Sequence, residues 1–279
     1  MNDGSLRFCF IVEEQYRHSR MPRAVVDRLA EWGHRTVVLE PAAAATSLSD
    51  LPAGHDFDAI VLRTVSGGPG VSLLQALGAD GTTTINDAGA VRRVRDKAVV
   101  AATARAHGIP FPDTYFIARP GLLDQVPLLQ FPLVVKPAAG GFGHEVRLVR
   151  TPAEVASLAS NGTRHHLIAQ PWIPNLGYDM KLYNTGSQVF AVRRRSSLLG
   201  GRDEERELVG ITDELGDLAL RVGAAFGLDI YGVDVVEGPS GWVVIDVNDF
   251  PSFKKVPDAA QMVAATIVDI AQRGRSSAP

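Results

Sequence analysis

Residues 230–253, IYGVDVVEGPSGWVVIDVNDFPSF, decide how the chain is read. Two apolar runs, 230–236 and 242–247, flank Gly238-Pro239-Ser240-Gly241. Glycine and proline supply turn dihedrals between strand-like runs, so the stretch predicts a β-hairpin. Asp234, Asp246 and Asn248 interrupt these strands where a core residue would cost less. Side chains two apart on a strand share a face, so Asp246 and Asn248 point the same way, and pairing across the hairpin can bring Asp234 beside them. Two carboxylates and an amide oxygen on a dry surface repel one another unless a cation lies between them. Hard oxygen ligands suit Mg²⁺, which takes few protein carboxylates and fills its shell with water or phosphate. On these residues alone an alternative stands: Asp234 caps a turn, and Asp246 and Asn248 merely end a strand.

The surroundings of the hairpin narrow the choice. A chain of 279 residues holds one large domain or two to three small ones. Its 46% hydrophobic and 21% charged residues are a globular composition with enough apolar surface for a core. A net charge of −3 and a pI near 6.2 argue against a nucleic-acid binder, which needs a basic domain. No apolar run reaches the ~18 residues of a membrane span, and the N-terminus lacks the basic-then-apolar layout of a signal peptide. The single cysteine, Cys9, sits in an apolar run as a core residue, and a cytoplasmic location is expected.

Upstream, strand-like runs at 8–12, 36–39, 59–62 and 82–85 alternate with helical patterns at 22–32 and 70–77. This alternation predicts a small parallel α/β layer over residues 1–90. Ligands of such sheets bind beyond the carboxyl ends of the strands, where Arg63 stands. Arg63 either holds an anionic substrate or is a solvated loop residue. Residues 90–107 read as one helix carrying Arg92, Arg93, Arg95 and Lys97, ended by Gly108 and Pro110. Residues 132–136 form an apolar strand ending in Lys136, a lysine that needs an anionic partner if buried. Gly140, Gly141, Phe142 and Gly143 follow, then a returning strand at 145–149. Such a turn can lay backbone N–H groups over phosphates, or be a plain tight turn; its spacing is that of neither a P-loop nor a dinucleotide fingerprint. His144 within it either contacts substrate or is solvated. A short helix at 152–159, a strand at 167–172 and an antiparallel pair at 178–183 and 188–195 come next. Asp179 and Lys181 share a face by alternation, as do Arg193 and Arg195, and three consecutive arginines turn at least one inward, where it must be paired. Residues 202–207 read as a charged loop, 212–226 as a helix capped by Thr212, and 258–273 as a closing helix.

Taken together, these parts resemble the ATP-grasp superfamily, especially ligases of the RimK and LysX type. The resemblance runs through Ile85-Asn86-Asp87, Arg95-Asp96-Lys97, Leu133-Val134-Val135-Lys136-Pro137 with the Gly turn, Tyr178-Asp179-Met180-Lys181, Gly232-Val233-Asp234 and Ile245-Asp246-Val247-Asn248. It implies an ATP-grasp fold of α/β and α+β parts: an N-terminal α/β domain at 1–90, a central subdomain with a Gly-rich lid at 91–170, and a C-terminal subdomain with the metal site at 171–279. It implies that Lys97 and Lys136 hold ATP phosphates, that Gly140, Gly141, Phe142 and Gly143 close over them, and that Gln170, Trp172 and Ile173 receive adenine, largely through backbone groups. By the same resemblance Asp179 binds ribose, and Asp234, Asp246 and Asn248 hold two Mg²⁺, for which Mn²⁺ can substitute. Arg195, with Arg193 and Lys181, then meets the transferred phosphate or the substrate carboxylate, and Arg63 and Lys254 are candidates for substrate binding. The implied partners are a small carboxylate and an amine, or a peptide terminus, without nucleic acid or membrane; a homo-oligomer stays open.

The departures bear on the acceptor. The family's ligases usually have glutamate at the position of Asp246, arginine at that of Lys181 and, in many, glutamate at that of Gln170. The Asn-Gly-Gly stretch usual after the arginine strand is replaced by Ser196-Ser197-Leu198-Leu199-Gly200-Gly201. Asp246, Asn248, Phe250-Pro251 and Lys181 also resemble the superfamily's inositol-polyphosphate kinases. The readings are therefore a carboxylate–amine ligase working through an acylphosphate, a kinase acting on a small polyanion, and a non-catalytic ATP-binding protein. The full set of Asp234, Asp246, Asn248 and Lys136 speaks against the last.

Overall fold

A computed structural model describes residues 4–49, 56–63, 68–139, 146–155, 166–196, 198 and 205–277. The first layer is a parallel sheet of β1 (Arg7–Val12), β2 (Arg35–Leu39), β3 (Ala59–Arg63) and β4 (Thr84–Ile85), in the order β2-β1-β3-β4. β1 is apolar on both faces and is covered on both, as a central parallel strand must be. Cys9 and Ile11 pack toward Leu73, Leu74 and Leu77 of helix α2 (Gly70–Leu77). Phe8 and Phe10 pack toward Val25 and Leu29 of helix α1 (Arg20–Glu31) and toward Val263 and Ile267 of the C-terminal helix. The α/β layer expected at 1–90 is present, with Arg63 as the last residue of β3 rather than a loop residue beyond it.

The single helix expected at 90–107 is instead two, α3 (Ala88–Arg95) and α4 (Lys97–Ala106). Asp96 between them is extended, at φ −104° and ψ 108°. Its carboxylate accepts from the backbone N–H groups of Ala98 and Val99, which satisfies two donors that a helix start leaves orphaned. That cap outweighs the propensity to continue, and it sets Lys97 at the first position of α4, its N–H bonded to Ala138 O at 2.7 Å.

A second, antiparallel sheet contains β5 (Tyr115–Ile117), β6 (Leu133–Pro137), β7 (Arg147–Val149) and β8 (Leu167–Pro171), in the order β5-β8-β6-β7. Of the short helix expected at 152–159, Pro152–Glu154 is a 3-10 turn, and residues from 156 lie outside the described part, as do Gly140, Gly141, Phe142, Gly143 and His144.

The third sheet is antiparallel: β9 (Tyr178–Asn184), β10 (Val189–Arg195), β11 (Arg206–Val209), β12 (Tyr231–Gly238) and β13 (Gly241–Asn248), in the order β11-β10-β9-β12-β13. Arg206 and Glu207, expected in a loop, are strand residues paired with Arg194 and Arg193. Helix α5 (Asp213–Phe226) begins as expected, with Thr212 Oγ1 accepting from Leu215 N–H, and ends on Gly227 at φ 68°, a conformation that glycine adopts without a Cβ penalty. Helix α6 (Ala259–Ser277) closes the chain. The back of this sheet carries the largest apolar contact of the site region: Met180, Leu182, Val233 and Val235 pack on Leu218 and Val222 of α5, with Val94 of α3 and Val100 of α4. So α3 and α4 lean on the third sheet, although they lie in the segment read as the central subdomain.

Candidate active site

The front face of the third sheet meets β6, β8 and α4 around a cavity of about 300 Å³. Its polar wall follows from register. Asp179 and Lys181 alternate on β9 with buried apolar neighbours. Arg194 stands across from Asp179, Asp234 across from Lys181, and Asp246 across from Asp234, so one transverse row gathers the charges of four strands. The β12–β13 ladder shifts register between Asp234 and Val235, leaving Ile245 without a partner in β12. This bulge lets Val244 and Val247 both face the rear core while Ile245, Asp246 and Asn248 line the cavity.

Each carboxylate has a cation. Lys181 Nζ lies 3.0 Å from Asp234 Oδ2, and Lys97 Nζ lies 3.1 Å from Asp246 Oδ1. Asn248 donates to Asp234 Oδ2 at 3.3 Å. The Arg194 guanidinium is 3.4 Å from Asp179 and 3.6 Å from Asp234 Oδ1. Asp234 Oδ1 is nevertheless buried without a hydrogen bond. Lys136 Nζ donates to Ile245 O at 2.8 Å, so the bulged residue supplies a carbonyl where the ladder does not use it.

Burial pushes the Asp234 carboxyl up, but Lys181 and Arg194 outweigh it and hold the group at about 2. Asp246 is held low in the same way: burial raises it, Lys97 and Lys136 lower it further. Asp179 is raised, because burial exceeds what Arg194 returns. Burial lowers the Lys136 ammonium to about 8, with Asp246 opposing. The row is thus neutralised internally by groups that a polyphosphate would attract away.

An orphaned buried carboxylate oxygen, a second ionised carboxylate and an amide are a donor set for a hard cation. Among the described residues no three His, Cys, Asp or Glu gather as a metal cluster.

Of the residues singled out in the sequence, Lys97, Lys136, Gln170, Trp172, Ile173, Asp179, Lys181, Asp234, Asp246 and Asn248 all line this one cavity. Gln170 is buried and donates to Thr114 Oγ1 at 2.9 Å. The Trp172 backbone N–H donates to Pro132 O at 2.8 Å, and the Ile173 carbonyl accepts one hydrogen bond, from Asn175. Of the three arginines, Arg194 lines the cavity, and Arg193 and Arg195, singled out in the sequence, do not. Arg193 faces out, over the Tyr178 ring and 2.6 Å from Glu207, and Arg195 is exposed near Glu205, because alternation turns only the middle arginine inward. Asn175 and Ser196 also line the wall.

Neither Arg63 nor Lys254 lines the cavity. Arg63 is not solvated: it is buried, its guanidinium 3.7 Å from the centre of the Tyr16 ring, and it donates to Phe250 O. It belongs to a clamp on the segment directly after Asn248. Asn86 donates to Ile230 O and Asp249 O and accepts from the N–H groups of Asp229 and Ile230, and Arg95 pairs with Asp249 at 2.6 Å. The N-terminal layer and α3 therefore hold the end of β13, and with it Asn248.

Known proteins resemble this chain in sequence and in fold. The RimK-like ATP-grasp domain family matches residues 94–271. A probable alpha-L-glutamate ligase of Alkalilimnicola ehrlichii is 28% identical over 277 residues, covering 90% of this chain and 91% of its own. One of Haemophilus influenzae (strain PittEE) is 27% identical over 267 residues, covering 85% and 89%. Among solved structures, the RimK domain protein ATP-grasp from Sphaerobacter thermophilus superposes with a TM-score of 0.76 at 23% identity, covering 95% of this chain and 99% of that one. D-alanine–D-alanine ligase from Bacillus anthracis superposes with a TM-score of 0.70 at 17% identity, covering 98% and 99%, a likeness of fold. The fold is ATP-grasp, and the chain belongs to the RimK-like ATP-grasp family.

Proposed function

We propose that the protein is an ATP-dependent ligase that joins a carboxylate to an amine. The observation that carries this reading is the row of ion pairs, Lys97–Asp246 and Lys181–Asp234, with Lys136 beside them in one cavity. Phosphates that drew the two lysines away would leave their carboxylates to a cation, which supports the reading. Asp234, Asp246 and Asn248 would hold Mg²⁺, whose chemistry is to neutralise the oxygens of the transferring phosphoryl group. Lys136 and Lys97 would orient the phosphates, Asp179 would take the ribose hydroxyls, and Arg194 would meet the charge that develops on the departing group. A substrate carboxylate oxygen attacks the γ-phosphorus and ADP leaves with the bridging oxygen. The amine nitrogen then attacks the carbonyl carbon of the acylphosphate, inorganic phosphate leaves, and the amine gives up a proton. L-Glutamate is the first amine to test, since both relatives named above are probable glutamate ligases.

The test is the fate of the phosphoryl group. Incubation with ATP, Mg²⁺, L-glutamate and a pool of carboxylate acceptors is expected to release ADP and phosphate in equal amounts, and only with both substrates present. ADP without phosphate would mean that the phosphoryl stays on a product, and would assign a kinase.

A further inference from the structure

The nucleotide cavity has two chemically different ends, and the change follows the strands. On β6, Leu133 and Val135 face the core behind the second sheet, so Val134 and Lys136 share the cavity face. On β8, Leu167 and Ala169 face that same core, which turns Gln170 to the cavity, directly across from Val134. Two residues along a strand span about 7 Å. One such step from Lys136 leaves the charged row and reaches Val134 and Gln170, and the same step on β12 leads from Asp234 to Val236. Ile173 closes this end against Gly238, where an added Cβ would lie 2.7 Å from its Cγ2. With Trp172 these residues make an apolar slot that holds one side-chain amide, Gln170. A flat base suits such a slot, with its orientation left to the few polar groups present.

Behind the slot, Thr114 decides how that amide is presented. Gln170 is buried, and its Nε2 donates to Thr114 Oγ1 at 2.9 Å. Thr114 Oγ1 in turn donates to Pro112 O at 2.9 Å. A carbonyl only accepts and a hydroxyl has one proton, so the hydroxyl has none left to donate to Gln170. The amide must therefore bring its nitrogen to Thr114. A half-turn of the amide would set Oε1 against an oxygen without a proton for it, at the cost of a buried unmade bond. Gln170 lines the cavity and Thr114 does not, so the edge turned to the ligand carries Oε1 and the second amide hydrogen.

We propose that Thr114 is a positioning residue for base selection: by fixing the Gln170 amide it makes the slot prefer a 6-amino purine to a 6-keto purine. The proposal rests on the nucleotide reading above and deepens it. A glutamine edge pairs with adenine by accepting from the exocyclic amine and donating to a ring nitrogen. A 6-keto purine puts an oxygen in place of the amine, and two acceptors then face each other in a buried site. A glutamine that could rotate would answer that oxygen with its own NH₂, and Thr114 withholds the rotation. The apolar walls do not make the distinction, because the two bases match in shape, and only a site built to hydrogen-bond one of them rejects the other strongly.

The experiment measures binding of ADP and of inosine diphosphate, each with Mg²⁺, to the full chain by calorimetry. The unaltered protein is expected to bind ADP at least about tenfold more tightly. T114V keeps the shape of the side chain without its hydroxyl, and should bring the two affinities to within about threefold of each other. T114S, which keeps the hydroxyl, should restore the preference, and Q170L, which has no amide to orient, should abolish it. Equal binding of the two nucleotides by the unaltered protein would overturn the proposal. So would an unchanged ratio in T114V, a T114V that weakens both nucleotides equally, a T114S that behaves as T114V does, or a Q170L that still prefers ADP. Because no turnover is measured, these outcomes are separate from the ADP and phosphate assay: a protein that selects ADP in this way but never releases phosphate would sink the ligase and not the role of Thr114.

Discussion

The front and back of the third sheet are built from alternate residues of the same strands, and they answer to different demands. Behind, Met180, Leu182, Ala191, Val233 and Val235 form a dry surface on α3, α4 and α5. In front, one residue away on each strand, Asp179, Lys181, Arg194 and Asp234 form a partly buried lattice of ions. Burying an apolar side chain contributes roughly 1.5–3 kcal/mol. A buried ion pair often returns no more than its own desolvation cost, so an apolar replacement of both partners can be neutral or stabilising. The front is thus held in place by the back, and its charges are retained for a ligand that rearranges them. Substitutions on the two faces should separate stability from activity.

The largest effect is expected from Asp246→Asn. It removes a ligand charge and leaves Lys97 without its carboxylate, so turnover should fall below detection while the melting temperature moves little. Retained turnover would mean that Asp246 is only a counter-ion to Lys97. The matching change behind is Leu182→Ala, at a fully buried position, which should cost about 2–5 kcal/mol of unfolding free energy in denaturant titration. ATP affinity measured well below its melting temperature should stay near wild type. A variant that lost both together would show that the two faces are not separable.

How much of this was legible in the sequence differs between the faces for a physical reason. The hairpin, the paired acids and the strand-end lysine could be read because each rests on local alternation within one strand. The choice among Arg193, Arg194 and Arg195 could not, because it depends on register between β9 and β10. That register is set by the connection between Asn184 and Val189, where Asn184 accepts from Gly186 N–H and Thr185 bonds to Gln188. The antiparallel pair was read, but not its first partners; counting outward from the Asn184–Val189 pair places Arg194 opposite Asp179. The break at Asp96 was likewise misread, since an aspartate before Lys-Ala-Val-Val is a cap signal within a segment whose helical pattern runs on. Arg63 was read as lying just past β3, whereas it is that strand's last residue. Its stack on Tyr16 and bond to Phe250 O join distant parts of the chain, and no local pattern announces them.

Lys136→Ala sharpens the comparison at the edge of the front face. The side chain is buried, yet it lies against a carbonyl rather than in the rear core. Nucleotide affinity should drop at least about tenfold, equivalent to ~1.4 kcal/mol. The melting temperature without nucleotide should hardly change, because the variant removes a desolvated charge together with its interactions. Unaltered ATP binding would make Lys136 a strand-end residue without a phosphate role.

The smallest effect is the most specific to the front face, and it is a proton. Burial lowers Lys136 from its ordinary 10.5 to about 8. The native group therefore binds fewer protons than the unfolded chain between those values. Its contribution to stability rises with pH across that window and is unfavourable below it. A polyphosphate beside the ammonium acts the other way, favouring the charged form and raising its pKa in the complex. Above about pH 8, ATP should thus bind with proton uptake, and affinity should fall as pH rises. Calorimetry at roughly pH 8.5, in two buffers of different ionisation enthalpy, should report an uptake of up to about three-quarters of a proton, and near pH 7 almost none. Lys136→Arg, which stays charged throughout, should abolish the buffer dependence while keeping most of the affinity. Identical heats in the two buffers for the unaltered protein would mean that the ammonium is already fully charged before ATP arrives. In that case the front face would be preorganised as a set of fixed charges, not a lattice that takes up a proton when its ligand enters.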